Sequence, residues 1–319
     1  MIACFQPKYG TPNDLIIKEV PIPEPNSNEI LVKILARTVN RTDTGVQSGK
    51  PFVVRFFFGF WHPSNEISGT DFSGVIVKKG ESVTTFEVGD EVYGFYDIGL
   101  KTHAQYACID TKRTIFKKPA FLSHEMAAAS CEGAHYAYYF MDKVKVDPSK
   151  KILVNGGTGA IGSAMTQMLV DKGCEVTVVC AHGYEKTMKA WGVNKVYNFA
   201  NKDFLKDESR YHYIFDCVGK STYFECKHLL VKGGVYISSE LGPWSQNLFL
   251  SLLTPLLPGK KVKFPLPLDS KKSLTYVQDL LVRGKFKPLL DRAYELSNIK
   301  EAFEYALTGQ KKGNVIIKS

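Results

Sequence analysis

The sequence predicts an α/β protein that combines a β-rich lobe with a doubly wound parallel sheet. Over roughly the first 120 residues, apolar and polar side chains alternate between turn signals, which is typical of half-buried strands. From residue 151 onward, short β-branched runs alternate with helix-length segments, which indicates repeated strand–helix–strand units. A chain of 319 residues also exceeds one ordinary core, so about two domains of ~150 residues are expected.

The N-terminal lobe contains five stretches with strand periodicity, each bounded by turn-forming residues. They are LIIKEV (15–20), EILVKILART (29–38), FSGVIVKKG (72–80), DEVYGF (90–95) and HAQYACI (103–109). At LSHEMAAAS (122–130) the pattern becomes small and helical, and Ser123 is the expected N-cap of that helix.

Six further strands are predicted in the parallel sheet. They are KILVNG (151–156), EVTVVC (175–180), KVYNF (195–199), YIFDCVG (213–219), GGVYISS (233–239) and KVKFPL (261–266). After them comes a helix that we expect to be capped by Ser297 and stopped at Gly309, and then a last strand. Because the six strands already complete the parallel sheet, this last strand is expected to rejoin the N-terminal lobe.

Composition excludes several classes of protein. The net charge is +9, but the 41 Lys and Arg residues are spread along the chain without a recognition motif, so no nucleic-acid partner is expected. The apolar runs are far shorter than the ~20 residues that span a bilayer, and the N-terminus lacks the pattern of a secretory signal. The seven cysteines are scattered and odd in number, which favours reduced thiols and a cytoplasmic location.

A glycine-rich turn follows the strand KILVN and opens a helical segment. Gly157, Gly159 and Gly162 fit the pattern G-x-G-x-x-G, in which missing side chains let a pyrophosphate approach the backbone at a helix N-terminus. A turn with only a structural role is the alternative. The dinucleotide-binding residues predicted here are Gly156, Gly157, Thr158, Gly159, Ala160, Ile161 and Gly162.

The end of the second strand of the parallel sheet indicates which dinucleotide binds. An acid at this position would hold the ribose of NAD, but the strand ends at Cys180 and Ala181, and Glu175 lies at its other end. Lys186 is placed to meet the 2′-phosphate of NADPH, or else it is a solvated helix residue. The sequence therefore favours NADPH over NADH.

Five motifs in order resemble the medium-chain dehydrogenase/reductase superfamily, and the best match is its zinc-independent, quinone-oxidoreductase-like branch. They are TVNRTDTG (38–45), GTDFSGVI (69–76), VGDEVYGF (88–95), the glycine turn with FDCVG (215–219), and the C-terminal stretch 284–317. The resemblance implies a discontinuous GroES-like catalytic domain, residues 1–122 and 265–319, around a Rossmann domain of residues 123–264. It also implies a homodimer.

The resemblance bears on metal binding as well. Zinc enzymes of this superfamily carry Cys where Asn40 stands and Gly-His-Glu where Gly69-Thr70-Asp71 stands, so neither thiolate nor imidazole is available. No catalytic zinc is expected.

The resemblance further implies which residues serve catalysis. Asn40 is expected to orient the reacting groups, while Asp43 either anchors that loop or only caps the following helix. Tyr136 stands where Thr is common, and it either supplies the lost hydroxyl or only packs. In the C-terminal G-H-x-x-G-K motif, Gln310 and Asn314 replace His and Lys, which removes a cation from this loop. Further cofactor contacts are expected at Cys180, Ala181, Lys186, Phe199, Cys217, Val218, Leu241, Gly242 and Asn314.

These features predict an NADPH-dependent, zinc-independent oxidoreductase that passes a hydride to a small apolar quinone, enone or carbonyl compound. The aromatic run VVRFFFGFWHP (53–63) would line the substrate site, or else form a core or dimer contact, and His62 is a further candidate proton donor. Two alternatives stay open. One is a catalytically idle dinucleotide-binding regulator or redox sensor, and the other is attachment to a membrane surface through LFLSLLTPLLPGKK (248–261).

Overall fold

The computed structural model describes residues 1–201, 203–265 and 267–319. Leu266, the last residue of the sixth predicted strand, lies outside them. The strands are β1 (Ile2–Phe5), β2 (Ile16–Glu19), β3 (Glu29–Val39), β4 (Asp71–Lys79), β5 (Glu91–Phe95), β6 (Tyr106–Asp110), β7 (Thr114–Lys117), β8 (Lys151–Asn155), β9 (Glu175–Cys180), β10 (Lys195–Asn198), β11 (Tyr211–Asp216), β12 (Leu230–Ser238), β13 (Lys261–Lys263), β14 (Leu290–Glu295) and β15 (Asn314–Lys318). The helices are α1 (Arg41–Ser48), α2 (Val54–Phe58), α3 (His124–Ala129), α4 (Glu132–Val144), α5 (Ala160–Asp171), α6 (Glu185–Ala190), α7 (Tyr223–Cys226), α8 (Gln246–Leu253), α9 (Ser270–Val282) and α10 (Ile299–Leu307).

The chain forms two compact units. The first unit combines Met1–Glu132 with Leu290–Ser319, and the second is Gly133–Leu289. Helix α3 belongs to the first unit because its alanines pack against Ala36 of β3 and Ile316 of β15. The domain boundaries expected after residues 122 and 264 fall earlier than these breaks, and as boundaries of functional domains they remain predictions.

The first unit contains a mixed sheet in which the two ends of the chain meet. Its strand order is β14-β15-β3-β4-β5-β7, with β6 also paired to β3. The C-terminal strand β15 lies antiparallel to β3, with Val315 opposite Val39, so the prediction that the last strand rejoins the N-terminal lobe is confirmed. The sheet buries an apolar face that includes Val32, Ile34 and Phe72.

The second unit contains the parallel sheet. Its order is β10-β9-β8-β11-β12-β13 and the pairings are parallel, which is the arrangement of a doubly wound sheet. Strands β8 and β9 are buried except for their first residues, because helices cover parallel strands on both faces. The order reverses between β8 and β11, and ligands of such sheets bind beyond the carboxyl ends of the strands at this switch point.

The helix ends test the predicted caps. The Ser123 hydroxyl accepts a hydrogen bond from the Met126 amide, 3.3 Å away, so the predicted cap of α3 is confirmed. The predicted cap at Ser297 is wrong. A 3-10 turn over Leu296–Asn298 precedes α10, whose N-cap is Asn298, and the Ser297 hydroxyl donates to the Asn298 side chain instead.

Candidate cofactor and active site

The turn after β8 requires glycine at three positions for reasons of packing. Gly156 has φ +91°, which disfavours any other residue, and a Cβ there would lie 2.4 Å from Val218 Cγ1. A Cβ on Gly157 would lie 2.2 Å from Val178 Cγ1. A Cβ on Gly162 would lie 2.1 Å from the Gly156 carbonyl oxygen, so helix α5 contacts the strand end through bare backbone.

Gly159 is different because the protein's own packing does not require it to be glycine. Its φ is −76°, and a Cβ would meet nothing closer than the Gly156 carbonyl oxygen at 3.5 Å, an ordinary van der Waals distance. Gly159 is also the N-cap of α5 and has no side chain to accept hydrogen bonds from the first turn. The uncapped amides of Ala160 and Ile161 therefore begin a helix whose dipole favours an anion, and bare backbone beside them fits a pyrophosphate.

A buried carboxylate holds the neighbouring turn after β11. Asp216 accepts hydrogen bonds from Asn155 Nδ2 at 3.2 Å and from the Gly219 amide at 3.0 Å. The Tyr236 hydroxyl donates to the same carboxylate at 3.1 Å. Burial raises the pKa of Asp216 above its usual range. This network links the ends of β8, β11 and β12. Sequence reasoning missed it because Asp216 was used only as part of the FDCVG motif and was given no role of its own.

The predicted cofactor residues of the second unit follow the carboxyl ends of consecutive strands. The glycine turn follows β8, Cys180 and Ala181 end β9, and the Thr158 hydroxyl links the two by accepting from the Ala181 amide at 3.2 Å. Phe199 follows β10, Cys217 and Val218 follow β11, and Leu241 and Gly242 follow β12. Parallel strands end at one edge of the sheet, so the structure brings these residues to the same edge.

The segment that follows β9 contains an acid that sequence reasoning missed. Glu185 lies in the first turn of α6, where its carboxylate accepts from the Gly183 amide at 2.8 Å and from Asn198 Nδ2 at 3.0 Å. Hydrogen bonds from backbone amides, its own first, hold the pKa of Glu185 below its usual range. The next residue, Lys186, is exposed. An acid and a base are therefore adjacent at the start of α6, the helix that follows β9.

In the first unit, the side chain of Asn40 is held by three partners. Its Nδ2 donates to Thr38 Oγ1 at 2.7 Å and to Asn314 Oδ1 at 3.2 Å. Its Oδ1 accepts from Lys311 Nζ at 2.9 Å. An amide nitrogen has two hydrogens, so both donors of Asn40 are already used within the protein. The structure thus brings Asn40 and Asn314 together.

Asp43 lies one turn into α1 and is fully buried. Its Oδ2 accepts a hydrogen bond from the backbone N–H of Asn40 at 2.8 Å. This one contact therefore both anchors the loop and caps the helix. Within the described residues its Oδ1 has no hydrogen bond and lies 3.8 Å from His103 Nε2. Burial, and next the charge of Glu132, raise the pKa of Asp43, while burial lowers the pKa of His103 to about 3.

Lys311 is the site residue of the first unit that sequence reasoning missed. Its Nζ donates to Asn40 Oδ1 and to the Gly313 carbonyl oxygen, both at 2.9 Å. Burial lowers its pKa to about 8. Gln310 and Asn314, which replace His and Lys in the C-terminal motif, predicted the loss of a cation from this loop. The structure places the ammonium of an intervening residue against Asn40.

Other predicted positions are less closely connected. Tyr136 is partly exposed on α4 of the second unit, with its ring centroid 5.4 Å from that of His135. Its role as a source of a hydroxyl group stays a prediction. Phe56, Phe57 and Trp61 are exposed, so the proposed core role of the aromatic run is wrong for these residues. The exposed His62 has its Nδ1 3.3 Å from the Pro63 carbonyl oxygen.

At the positions of the superfamily's zinc ligands the structure holds Asn40, Thr70 and Asp71. The Thr70 hydroxyl lies 3.4 Å from Glu132 Oε2, and Asp71 accepts from the Thr38 amide at 2.7 Å. Burial raises the pKa of Asp71 to about 7. Over residues 1–201, 203–265 and 267–319, no group of three His, Cys, Asp or Glu side chains is arranged to hold a metal ion, and no helix is long and apolar enough to cross a membrane.

A doubly wound sheet with a glycine turn at its switch point, together with a β-rich unit made from both ends of the chain, defines a class of nicotinamide-dependent oxidoreductases. Two family profiles match. One is described as an alcohol dehydrogenase GroES-like domain and covers residues 26–148, and the other as a zinc-binding dehydrogenase and covers residues 191–317. The chain belongs to the medium-chain dehydrogenase/reductase superfamily, in its quinone-oxidoreductase-like branch, and is an oxidoreductase.

Individual relatives agree with this assignment. A chloroplastic quinone oxidoreductase from Triphysaria versicolor is 28% identical over 313 residues, which cover 94% of this chain and 92% of the relative. A 2-methylene-furan-3-one reductase from Solanum lycopersicum is 26% identical, with 97% and 76% covered. The structure of Escherichia coli quinone oxidoreductase complexed with NADPH is 20% identical, covers all of both chains and superposes with a TM-score of 0.81.

The contrast between Gly162 and Gly159 predicts different costs for the same substitution. Gly162→Ala should lower the free energy of unfolding by about 2 kcal/mol, because its methyl group would overlap a backbone carbonyl that cannot rotate away. Gly159→Ala should change it by less than about 0.5 kcal/mol. Urea unfolding of both variants checks this, and equal losses would contradict the geometry described for the turn.

Proposed function

We propose that this protein is an NADPH-dependent oxidoreductase that reduces a small apolar quinone, enone or carbonyl compound without zinc. The observation that carries the proposal is Gly159, a glycine that neither its dihedral angles nor its packing explains. A pyrophosphate on the uncapped amides of α5 explains it, because a Cβ would occupy space that the phosphates need. In a turn with only a structural role, Ser, Thr, Asn or Asp would serve as N-cap at this position at least as well as glycine.

The comparisons support the substrate class. The Triphysaria relative is named for quinone reduction, and the tomato relative for reduction of a furanone that carries a conjugated carbonyl. Both are acceptors in which hydride addition leaves negative charge on an oxygen. The exposed aromatic residues Phe56, Phe57 and Trp61 supply apolar surface in the segment expected near the substrate.

Different residues are proposed to bind the cofactor, to position the active-site loop and to contact the substrate. A bound nicotinamide supplies a hydride, that is, two electrons and a proton nucleus, to the acceptor. The amides after Gly159 would hold the phosphates, while Asp43 fixes the start of α1 and with it Asn40. Tyr136 is proposed to offer its hydroxyl to the substrate. Since Asn40 and Thr70 stand where zinc ligands would be, hydrogen-bond donors must meet the charge on the substrate oxygen.

The enzyme assay is the first test of this proposal. Purified protein should oxidise NADPH in the presence of 9,10-phenanthrenequinone or of simple enones, at a rate unchanged by a zinc chelator. Gly159→Ala should weaken NADPH binding at least about tenfold, the cost of roughly 1.4 kcal/mol, while its stability is preserved. Cofactor binding without turnover of any acceptor would favour the idle regulator or redox sensor, and an unchanged dissociation constant for Gly159→Ala would contradict the phosphate site.

The preference for NADPH is proposed to depend on Lys186 and Glu185. The lysine would attract the 2′-phosphate, whereas the carboxylate of Glu185 would oppose it and suit a ribose hydroxyl. Lys186→Gln should therefore lower the ratio of NADPH to NADH affinity by about three- to tenfold, while Glu185→Gln should raise it. Calorimetric titration with both nucleotides measures the ratio. If both variants keep the affinity ratio of the wild type, other residues select the cofactor.

The protein is also proposed to be a homodimer in a reducing compartment such as the cytoplasm. Helix α8 exposes Phe249, Leu252 and Leu253 next to β13, the edge strand of the parallel sheet, and an apolar patch at an open edge favours association. The seven cysteines are free thiols. The Triphysaria relative is named for the chloroplast, so the compartment itself stays a prediction.

Sedimentation tests the dimer. The wild type should have twice the mass of one chain, and Leu252→Glu should reduce it to a monomer because a carboxylate would be buried without a partner. Val282→Glu is the matched control, since Val282 is similarly exposed on α9 and should leave the mass unchanged. A monomeric wild type that sediments with vesicles containing phosphatidylserine would support the membrane-surface alternative instead.

A further inference from the structure

We propose that Lys311, and not Asn40, donates the hydrogen bond and then the proton to the substrate oxygen. The proposal rests on the proposed function, because it assumes that Asn40 lies at the reacting end of the site. It assigns a catalytic role to a residue outside the superfamily motif positions. Three observations carry it: the hydrogen bonds of Asn40, the geometry of Lys311, and the charges around the ammonium.

Asn40 cannot serve as the donor in the observed arrangement. Its two Nδ2 hydrogens are directed at Thr38 Oγ1 and Asn314 Oδ1, 2.7 and 3.2 Å away. The remaining capacity of its side chain is an acceptor lone pair on Oδ1, which would repel negative charge on a substrate oxygen. Asn40 is therefore a positioning residue, and what its Oδ1 positions is Lys311 Nζ.

Lys311 retains the donor that Asn40 lacks. An ammonium has three N–H groups, and two of them bind Asn40 Oδ1 and the Gly313 carbonyl oxygen. In the described part of the chain, the third has no hydrogen-bond acceptor. Residue 311 as a whole is partly exposed. The two fixed bonds hold Nζ in place, and the third N–H is available to a ligand.

The charged groups around Lys311 come from several elements. Arg41 and Asp43 belong to α1, Glu132 begins α4, and Asp291 lies in β14. The carboxylates favour the ammonium, while burial and Arg41 oppose it, and burial has the largest effect. The result is a pKa of about 8, below the usual 10.5 of lysine. A general acid works best when its pKa lies near the working pH, so Lys311 is suited to give up a proton at neutral pH.

The step balances as follows. Hydride addition brings two electrons to the acceptor and leaves a negative charge on its oxygen. An Nζ–H bond of Lys311 then breaks and an O–H bond forms on that oxygen, so the product is neutral and the lysine is left as a neutral amine. Water returns a proton to Nζ before the next turnover.

Lys311→Gln tests the proposal, with Lys312→Gln as the matched control. Lys312 is the adjacent residue, and its Nζ binds the Gln310 carbonyl oxygen instead of Asn40. Lys311→Gln should lower kcat about 100-fold and leave the NADPH dissociation constant within twofold of the wild type, whereas Lys312→Gln should change neither. Lys311→Arg should stay impaired, because a guanidinium keeps its charge but does not release a proton.

Two pH titrations add an independent readout. The protonated amine is the active form, so wild-type kcat should fall as the pH rises through about 8, and Lys311→Gln should lose this dependence. NMR of the lysine Nζ groups after 13C-methylation should show one resonance with a pKa near 8 that is missing from Lys311→Gln, whether or not the protein turns over.

The outcomes separate the two proposals. If the wild type turns over and Lys311→Gln matches Lys312→Gln in kcat, the assignment of Lys311 is wrong and the proposed function stands. A Lys311 resonance that titrates near 10.5 would equally overturn the assignment. If the wild type binds neither nicotinamide nucleotide, the proposed function fails and the assignment fails with it.

Discussion

The contact between the Gly156 carbonyl oxygen and the bare Cα of Gly162 is the constraint on which the second unit depends. It allows α5 to begin directly at the end of β8, because no side chain separates strand from helix. The start of the helix, with its uncapped amides, is thereby fixed at the switch point of the sheet. Asp216 secures the other side of this point by tying the ends of β8, β11 and β12 together.

The first unit handles charge in a different way. Asp43, Asp71 and Glu132 are buried acids whose pKa values are raised by burial, and His103 is held neutral nearby. Desolvation disfavours each of these charges, and the ammonium of Lys311 beside Asn40 offsets part of that cost. Lys311 supplies one positive charge in this region.

Sequence patterns predicted the features that depend on local chemistry. Alternation located the strands, the glycine spacing located the turn, and a serine before a run of alanines located the start of α3. Ser297 was misplaced because a 3-10 turn and an α-helical turn begin with similar residues. Of the cofactor and catalytic assignments, the contacts of Asn40 with Asp43 and Asn314 are seen, while the role of each residue stays a proposal.

The residues that sequence reasoning missed depend on contacts between distant parts of the chain. Lys311 meets Asn40 across 271 positions because β15 pairs with β3, and no local pattern marks that meeting. Glu185 lies beyond the strand end where an acid is usually sought, and it returns to that end through hydrogen bonds to Gly183 and Asn198. Asp216 acts through partners on β8, on β12 and in the loop that follows β11. In each case the backbone topology decides which polar groups meet.

An amide-resolved NMR titration of the 15N-labelled protein with NADPH tests the central claim most directly. The account predicts that the largest chemical-shift changes fall on the amides of Ala160 and Ile161, which would bind the pyrophosphate, with smaller changes at Gly159, Cys217 and Val218. Saturable binding that leaves the amides of the glycine turn unshifted, or no binding of NADPH at all, would contradict it.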